Sequence, residues 1–384
     1  QRNKNLDPVD PLVETLPRYQ LCSPPPETLL QVHGFTVVPM TKRRTDDSNN
    51  IHRRSNKCGD IAYYSSHGPV LTSNNNNNNN TYTQFQVALV VIHGQNRNAD
   101  DYFCAGHKAS ELWHKQQQQQ QQQEPVLTLA PRFLQCNDNP NIALTSGNPP
   151  LRWNNHSTAG DWRYGADAIL LTRDGCTNHI SSFDALDAMI LQLSNRTLFP
   201  NLKLISVFGH SSGGQLVQRW ALLSPVFGEN DDDKDEKLPF RMSRELQVGR
   251  RRRRPHLRAI VANPSSYVYL DQRRFIGHCN DSSVSFQEPS KEVQTACSQY
   301  NQWEYGLEDG GPMDVRYRKQ AVGKKTALIE RYESRDVIYM IGSQDRCNIS
   351  TTTTTLSNNN NKDASHHTTQ WWCNSHGLET TCMD

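Results

Sequence analysis

The sequence predicts an α/β fold: a mostly parallel central sheet with helices on both faces, interrupted by low-complexity loops. Three observations lead there. Several short runs are apolar throughout rather than alternating, as strands covered on both faces require. Segments with apolar residues at helical spacing lie between them. Polar tracts fall between the strands and never inside one, so the alternation survives them.

Val87-Ala88-Leu89-Val90-Val91-Ile92, ending in His93-Gly94, reads as a buried strand. Residues 126–130 form a second run, stopped by Pro131. Residues 166–171 read as a short strand or a helix start. Phe183, Leu186, Met189, Ile190 and Leu193 predict a helix, with Ser182 as its N-cap. Residues 202–208 are the next buried strand, and Leu216, Val217, Trp220 and Leu223 mark the helix after it. Residues 257–262 and 337–341 complete the set. The last strand and helix of such a sheet are expected to be missing.

A length of 384 residues fits one large domain. Residues 1–80, rich in Pro, Asn, Ser and Arg, read as a partly disordered N-terminal extension, with residues 35–40 as a candidate first strand. Residues 81–384 hold the α/β domain. Polar tracts at 74–80, 116–123, 229–237, 250–254 and 351–361 read as surface-loop insertions, because closure entropy grows slowly with loop length. The five arginines at 250–254 also fit a polyanion patch or a processing site. An acidic stretch precedes them and no aromatic residue is interleaved, so nucleic acid is set aside.

A net charge of +2 favours neither nucleic acid nor an anionic membrane as partner. No stretch reaches the roughly 18 apolar residues of a membrane span. Ten cysteines contain no Cys-x-x-Cys pair, which argues against structural zinc. Their even number, with sequons at Asn155 and Asn195, leans towards disulfides and a secretory route.

The chemistry centres on Gly209-His210-Ser211-Ser212-Gly213. A serine hydroxyl is a poor nucleophile unless a base takes its proton and its oxygen stands exposed. A Gly-x-Ser-x-Gly turn between strand and helix provides the exposure, and here the strand and helix flank it as required. Ser211 is therefore the candidate nucleophile, against a helix-capping serine as the bland alternative. The helix N-terminus makes the N–H of Ser212 one oxyanion donor. Gly94 permits close backbone approach, which assigns the second donor to the N–H of Gln95. His93 precedes the turn and reads as structural. The acid is expected just past a later strand, where Asp345 stands. Asp336 starts that strand, at the wrong edge of the sheet. His366, His367 and His376 follow Asp345, but no apolar run precedes them as the strand before a base should.

The succession His-Gly, Gly-His-Ser-Ser-Gly-Gly and Gly-Ser-Gln-Asp resembles the α/β-hydrolase superfamily over residues 87–345. More narrowly, residues 208–220, the segment Val261-Ala262-Asn263-Pro264-Ser265-Ser266-Tyr267 and the Asp345 loop resemble a little-characterised microbial and fungal group. In that group a Leu-Asp-Thr-Ser-Cys-like segment and then the catalytic histidine follow the acid loop. Leu378-Glu379-Thr380-Thr381-Cys382 resembles the first of these. The base is accordingly expected beyond Asp384, with His376 as the fallback. The resemblance further implies a Cys347–Cys382 disulfide beside Asp345.

The resemblance implies acyl transfer to water on a small-molecule or lipid-like ester, with no cofactor and no metal. A peptidase or acyltransferase on the same fold, and a non-catalytic binding protein, are the alternatives. Trp153, Trp162, Tyr164 and Tyr267 line a pocket or pack the interior.

Overall fold

The computed structural model describes residues 22–25, 27–32, 59–68, 70–71, 81–118, 125–136, 138, 150–154, 160–169, 180–227, 254–276, 285–309, 315–321 and 325–342. In chain order the strands are β1 (Thr28–Val32), β2 (Gly59–Ser65), β3 (Val87–Ile92), β4 (Val126–Arg132), β5 (Leu134–Gln135), β6 (Arg152–Trp153), β7 (Leu204–His210), β8 (His256–Ala262), β9 (Arg274–Ile276), β10 (Ser285–Gln287) and β11 (Asp336–Met340). The helices are α1 (Ala99–Gln118), α2 (Ser182–Leu193), α3 (Ser212–Leu223), α4 (Lys291–Ala296), α5 (Arg316–Ala321) and α6 (Lys325–Glu333).

Seven strands form one sheet in the order β1-β2-β4-β3-β7-β8-β11. From β4 to β11 all neighbours are parallel; β1 and β2 run antiparallel at one side. The chain therefore steps one way from β3 to β4 and the other way from β3 to β7. Such a reversal opens a crevice at the carboxyl ends of the two strands, where α/β sheets place ligands. Register lines those ends up: Ile92 faces Gly209, and His210 and Met340 both face Ala262.

Helices cover both faces. Leu127 and Leu129 of β4, with Ile61 and Tyr63 of β2, join the large core that contains α2 and α3. The next residues in each strand, Ala130 and Tyr64, pack instead with Ala99, Phe103 and Cys104 of α1. Alternate strand residues thus feed opposite layers, as a pleated strand dictates. Trp153 and Trp162 are fully buried, and Tyr164 and Tyr267 nearly so, which makes all four packing residues.

Several elements depart from the sequence reading. The helix N-cap is Ser181, not Ser182: its hydroxyl accepts from Asp184 N–H at 3.0 Å while the Asp184 carboxylate accepts from Ser181 N–H at 2.8 Å. Both serines are suitable caps, and reciprocal bonding with Asp184 selects the first. β4 runs through Pro131 to Arg132. Its pairing with β3 stops at Leu129, so the N–H that proline lacks falls where that side of β4 has no ladder to serve. Of residues 166–169, only Asp167 pairs, in a single bridge to Ser181. Strands β1 and β2 and helix α1 were not foreseen. The first two lie before residue 81, so the sheet reaches back across the expected domain boundary. The Gln tract begins inside α1, whose last turn includes Gln116. The candidate strand at 35–40 and the tracts at 74–80, 229–237 and 351–361 lie outside the described residues. A disulfide joins Cys22 to Cys104, clamping the segment before β1 onto α1.

Candidate functional site

β7 delivers the chain to the crevice and α3 carries it away, with Ser211 alone between them. Ser211 adopts φ 56° and ψ −122°, a conformation costing roughly 1–3 kcal/mol for a residue with a Cβ. Surrounding contacts impose it. Ser211 N–H donates to Ala262 O at 3.0 Å, and Gln215 N–H donates to Ser211 O at 3.0 Å. Glycines make room for the turn: a Cβ on Gly209 would stand 2.2 Å from Gly213 O, and one on Gly213 would stand 2.4 Å from Ile92 O.

The loop after β3 lies against this turn. A Cβ built on Gly94 would be 3.8 Å from Ser211 Cβ and 2.8 Å from the Tyr102 hydroxyl. His93 is fully buried beneath it. Phe133 N–H donates to His93 Nε2 at 2.9 Å, which leaves the ring proton on Nδ1 to donate to Gly94 O at 2.8 Å. Burial lowers the His93 pKa to about 4, against the opposing effect of the Gly94 bond. A neutral ring locked at both nitrogens is a structural strut.

Gln95 is fixed from two sides. Its side-chain Oε1 accepts from the Ser212 hydroxyl at 3.0 Å, and its carbonyl accepts from Arg97 Nη1 at 2.7 Å. Arg97, at φ 55°, is itself held by Asp138 at 2.6 and 3.0 Å. Desolvation by burial works to raise the Asp138 carboxyl pKa, but the Arg97 bond with Gln135 N–H and nearby arginines brings it below its ordinary value.

On the far side, Asn263 ties β8 to β11. Its N–H donates to Met340 O at 2.9 Å, and its Oδ1 accepts from Gly342 N–H at 2.8 Å. The second bond fixes the first residues past β11, three positions before Asp345. Asn263 has φ 39°, a region asparagine tolerates better than most residues.

The structure thus brings together Ser211, Ser212 and Gln95. Asp345, His366, His367, His376, Cys347 and Cys382 lie outside the described residues. Asp336 sits at the opposite edge of the sheet, bonded to His256 Nε2 at 2.7 Å and Arg258 Nε at 2.8 Å. No protein-family model matches the chain, and no curated protein matches its sequence. Solved structures similar to it include poly(aspartic acid) hydrolase-1 from Sphingomonas sp. KT-1, at 14% identity and TM-score 0.28, covering 73% of this chain and 86% of that one. LpqC, a poly(3-hydroxybutyrate) depolymerase from Bordetella parapertussis, has 13% identity and TM-score 0.29, covering 74% and 79%. The siderophore hydrolase EstB from Aspergillus nidulans has 11% identity and TM-score 0.26, covering 84% and 89%.

Sequence reasoning missed the groups that support the site. The Arg97–Asp138 pair spans 41 residues, beyond any local pattern. Tyr102 lies on the unforeseen α1 and contacts His210 Nδ1 at 3.1 Å. Beside α3, Arg163 pairs with Asp161 at 2.8 Å, and within α3 Arg219 bonds Ser266 Oγ at 3.1 Å and Glu304 O at 2.8 Å. Among the described residues, no group of three or more His, Cys, Asp and Glu could hold a metal. No described helix is long and apolar enough to cross a membrane.

Proposed function

We propose that this chain is a serine hydrolase that cleaves carboxylic esters through an acyl-enzyme on Ser211. The observation supporting it most is the backbone of Ser211, set against a capping serine in the same molecule. Ser181 has extended backbone, φ −80° and ψ 163°, and its hydroxyl accepts from the helix, as a cap should. Ser211 has φ 56° and makes no side-chain cap bond to α3. A strained serine that leaves its helix uncapped fits a nucleophile, not an N-terminal helix cap.

In the proposed reaction Ser211 Oγ attacks the ester carbonyl carbon while a histidine takes its proton. Negative charge on the former carbonyl oxygen is met by the N–H groups of Ser212 and Gln95. Collapse expels the alcohol, which takes the proton back, and water repeats the sequence to release the acid. Asp345 is the proposed partner that orients the histidine and stabilises its charge. The substrate is a small-molecule or lipid-like ester, and no step needs a metal or organic cofactor.

A fluorophosphonate probe tests the reading. Labelling should map to the peptide containing Ser211 and vanish in Ser211→Ala. Absence of labelling in the folded wild-type protein, or labelling that survives the substitution, would overturn it.

A further inference from the structure

We infer that Tyr102 is a positioning residue that bridges the oxyanion loop to the nucleophile turn, an inference resting on the ester-hydrolase reading above. Its hydroxyl contacts Nδ1 of His210, the residue preceding Ser211, at 3.1 Å. The same oxygen lies 2.8 Å from where a Gly94 Cβ would stand, so the hydroxyl sits directly against the backbone at Gly94. Burial raises the Tyr102 pKa, and a backbone hydrogen bond from Gly94 opposes that rise. The hydroxyl thus lies against Gly94 while it is hydrogen-bonded to His210 Nδ1.

One hydroxyl thus joins the peptide before Gln95 to the residue before Ser211. These loops come from different strands, β3 and β7, and carry the proposed donor and the proposed nucleophile. The oxyanion distance depends on their mutual placement, and a shift of about 1 Å in such a site costs on the order of a hundredfold in rate. The ring of Tyr102 is half-buried, with its centroid 6.3 Å from the His210 ring, so phenylalanine retains its packing and removes the bridge alone.

The test compares wild type with Tyr102→Phe on p-nitrophenyl butyrate, alongside hydrogen exchange at residues 94 and 95. For Tyr102→Phe, kcat should fall about tenfold to a hundredfold with KM within about twofold, and exchange at 94–95 should quicken. His210→Asn, which keeps an acceptor near the Nδ1 position, should retain most of kcat, whereas His210→Leu should match Tyr102→Phe. Unchanged kcat in Tyr102→Phe, or a loss seen only in KM, would overturn the inference. A wild-type protein inert to the ester would sink the hydrolase reading instead. The bridge would then be judged by exchange alone, upheld if it quickens in Tyr102→Phe and overturned if it does not.

Discussion

The Ser212 hydroxyl donates to Gln95 Oε1 at 3.0 Å, linking the two residues whose backbone N–H groups are the proposed oxyanion donors. Ser212 is 2% exposed, so the bond is shielded from water on the serine side. Neither side chain is itself a donor to the substrate in the proposed reaction. Their bond sets the spacing of the two backbone groups that are.

Ser212→Ala should therefore keep both N–H donors and lose their alignment. Steady-state kinetics on an activated ester should show kcat reduced about tenfold, with KM nearly unchanged. Stability should fall by about 1 kcal/mol, the usual contribution of one such bond.

Asn263→Gly should act from the other side of the crevice. Glycine accepts φ 39° without strain but gives up the Oδ1 that anchors Gly342. If the loop towards Asp345 orients the general base, kcat should drop while fluorophosphonate binding before reaction stays constant. Stopped-flow labelling separates the two quantities.

Gly213→Ala tests the packing of the turn. Its Cβ would stand 2.4 Å from Ile92 O and 2.6 Å from His93 O, both backbone atoms that cannot swing aside. Urea unfolding should show a loss of about 3 kcal/mol, the upper part of the usual overpacking range.

Much of this arrangement is legible in the sequence, and the failures share a cause. β3 and β7 are apolar along most of their length and are recognisable as buried strands. Apolar runs also mark β8 and β11 as strands, but β11 is the sheet's edge and leaves Ile338, Tyr339 and Met340 exposed rather than covered on both faces. The turn at Ser211 is marked by glycines whose need is local. Helix α1 escaped because its buried residues, Ala99, Phe103, Cys104, Gly106 and Ser110, have helical spacing but include only one large apolar side chain. Gly106 lets the helix approach Val91 and Leu89 closely, and Ser110 bonds Thr128 Oγ1 at 3.1 Å. Its contacts depend on proximity rather than hydrophobic bulk, which composition does not reveal. β1 and β2 pair across an interval of 26 residues, and their pairing is a long-range property. Tyr102 became visible as a site neighbour only once α1 was placed.

The Cys22–Cys104 bond closes a separation of 82 residues. Cys22→Ser should lower unfolding stability by about 2–4 kcal/mol, measured by urea titration of the variant beside wild type. Equal midpoints would show that the clamp contributes nothing.

Asp187 gives the fold a pH dependence of definite sign. It is buried among Trp220 Nε1 at 2.8 Å, Ser224 Oγ at 2.6 Å and Tyr317 Oη at 2.5 Å, with Asp184 and Arg335 also facing it. Burial raises its pKa from 3.8 to about 7, overcoming those three donors. Between these values the folded state holds a proton that the unfolded state has lost, so this contribution to stability falls as pH rises. His93, lowered from 6.5 to about 4, contributes in the opposite direction over most of that window. The Asp187→Asn difference isolates the first effect: the stability of wild type relative to the variant should decline from pH 4 to pH 7. A difference that grows with pH would contradict it.

The most direct measurement is the mass of the intact protein during turnover of a slowly deacylating p-nitrophenyl ester. An acyl adduct should accumulate, map to the peptide carrying Ser211, and disappear in Ser211→Ala together with turnover. Turnover that persists in Ser211→Ala, or a folded wild-type protein that neither acylates nor hydrolyses the ester, would contradict the account.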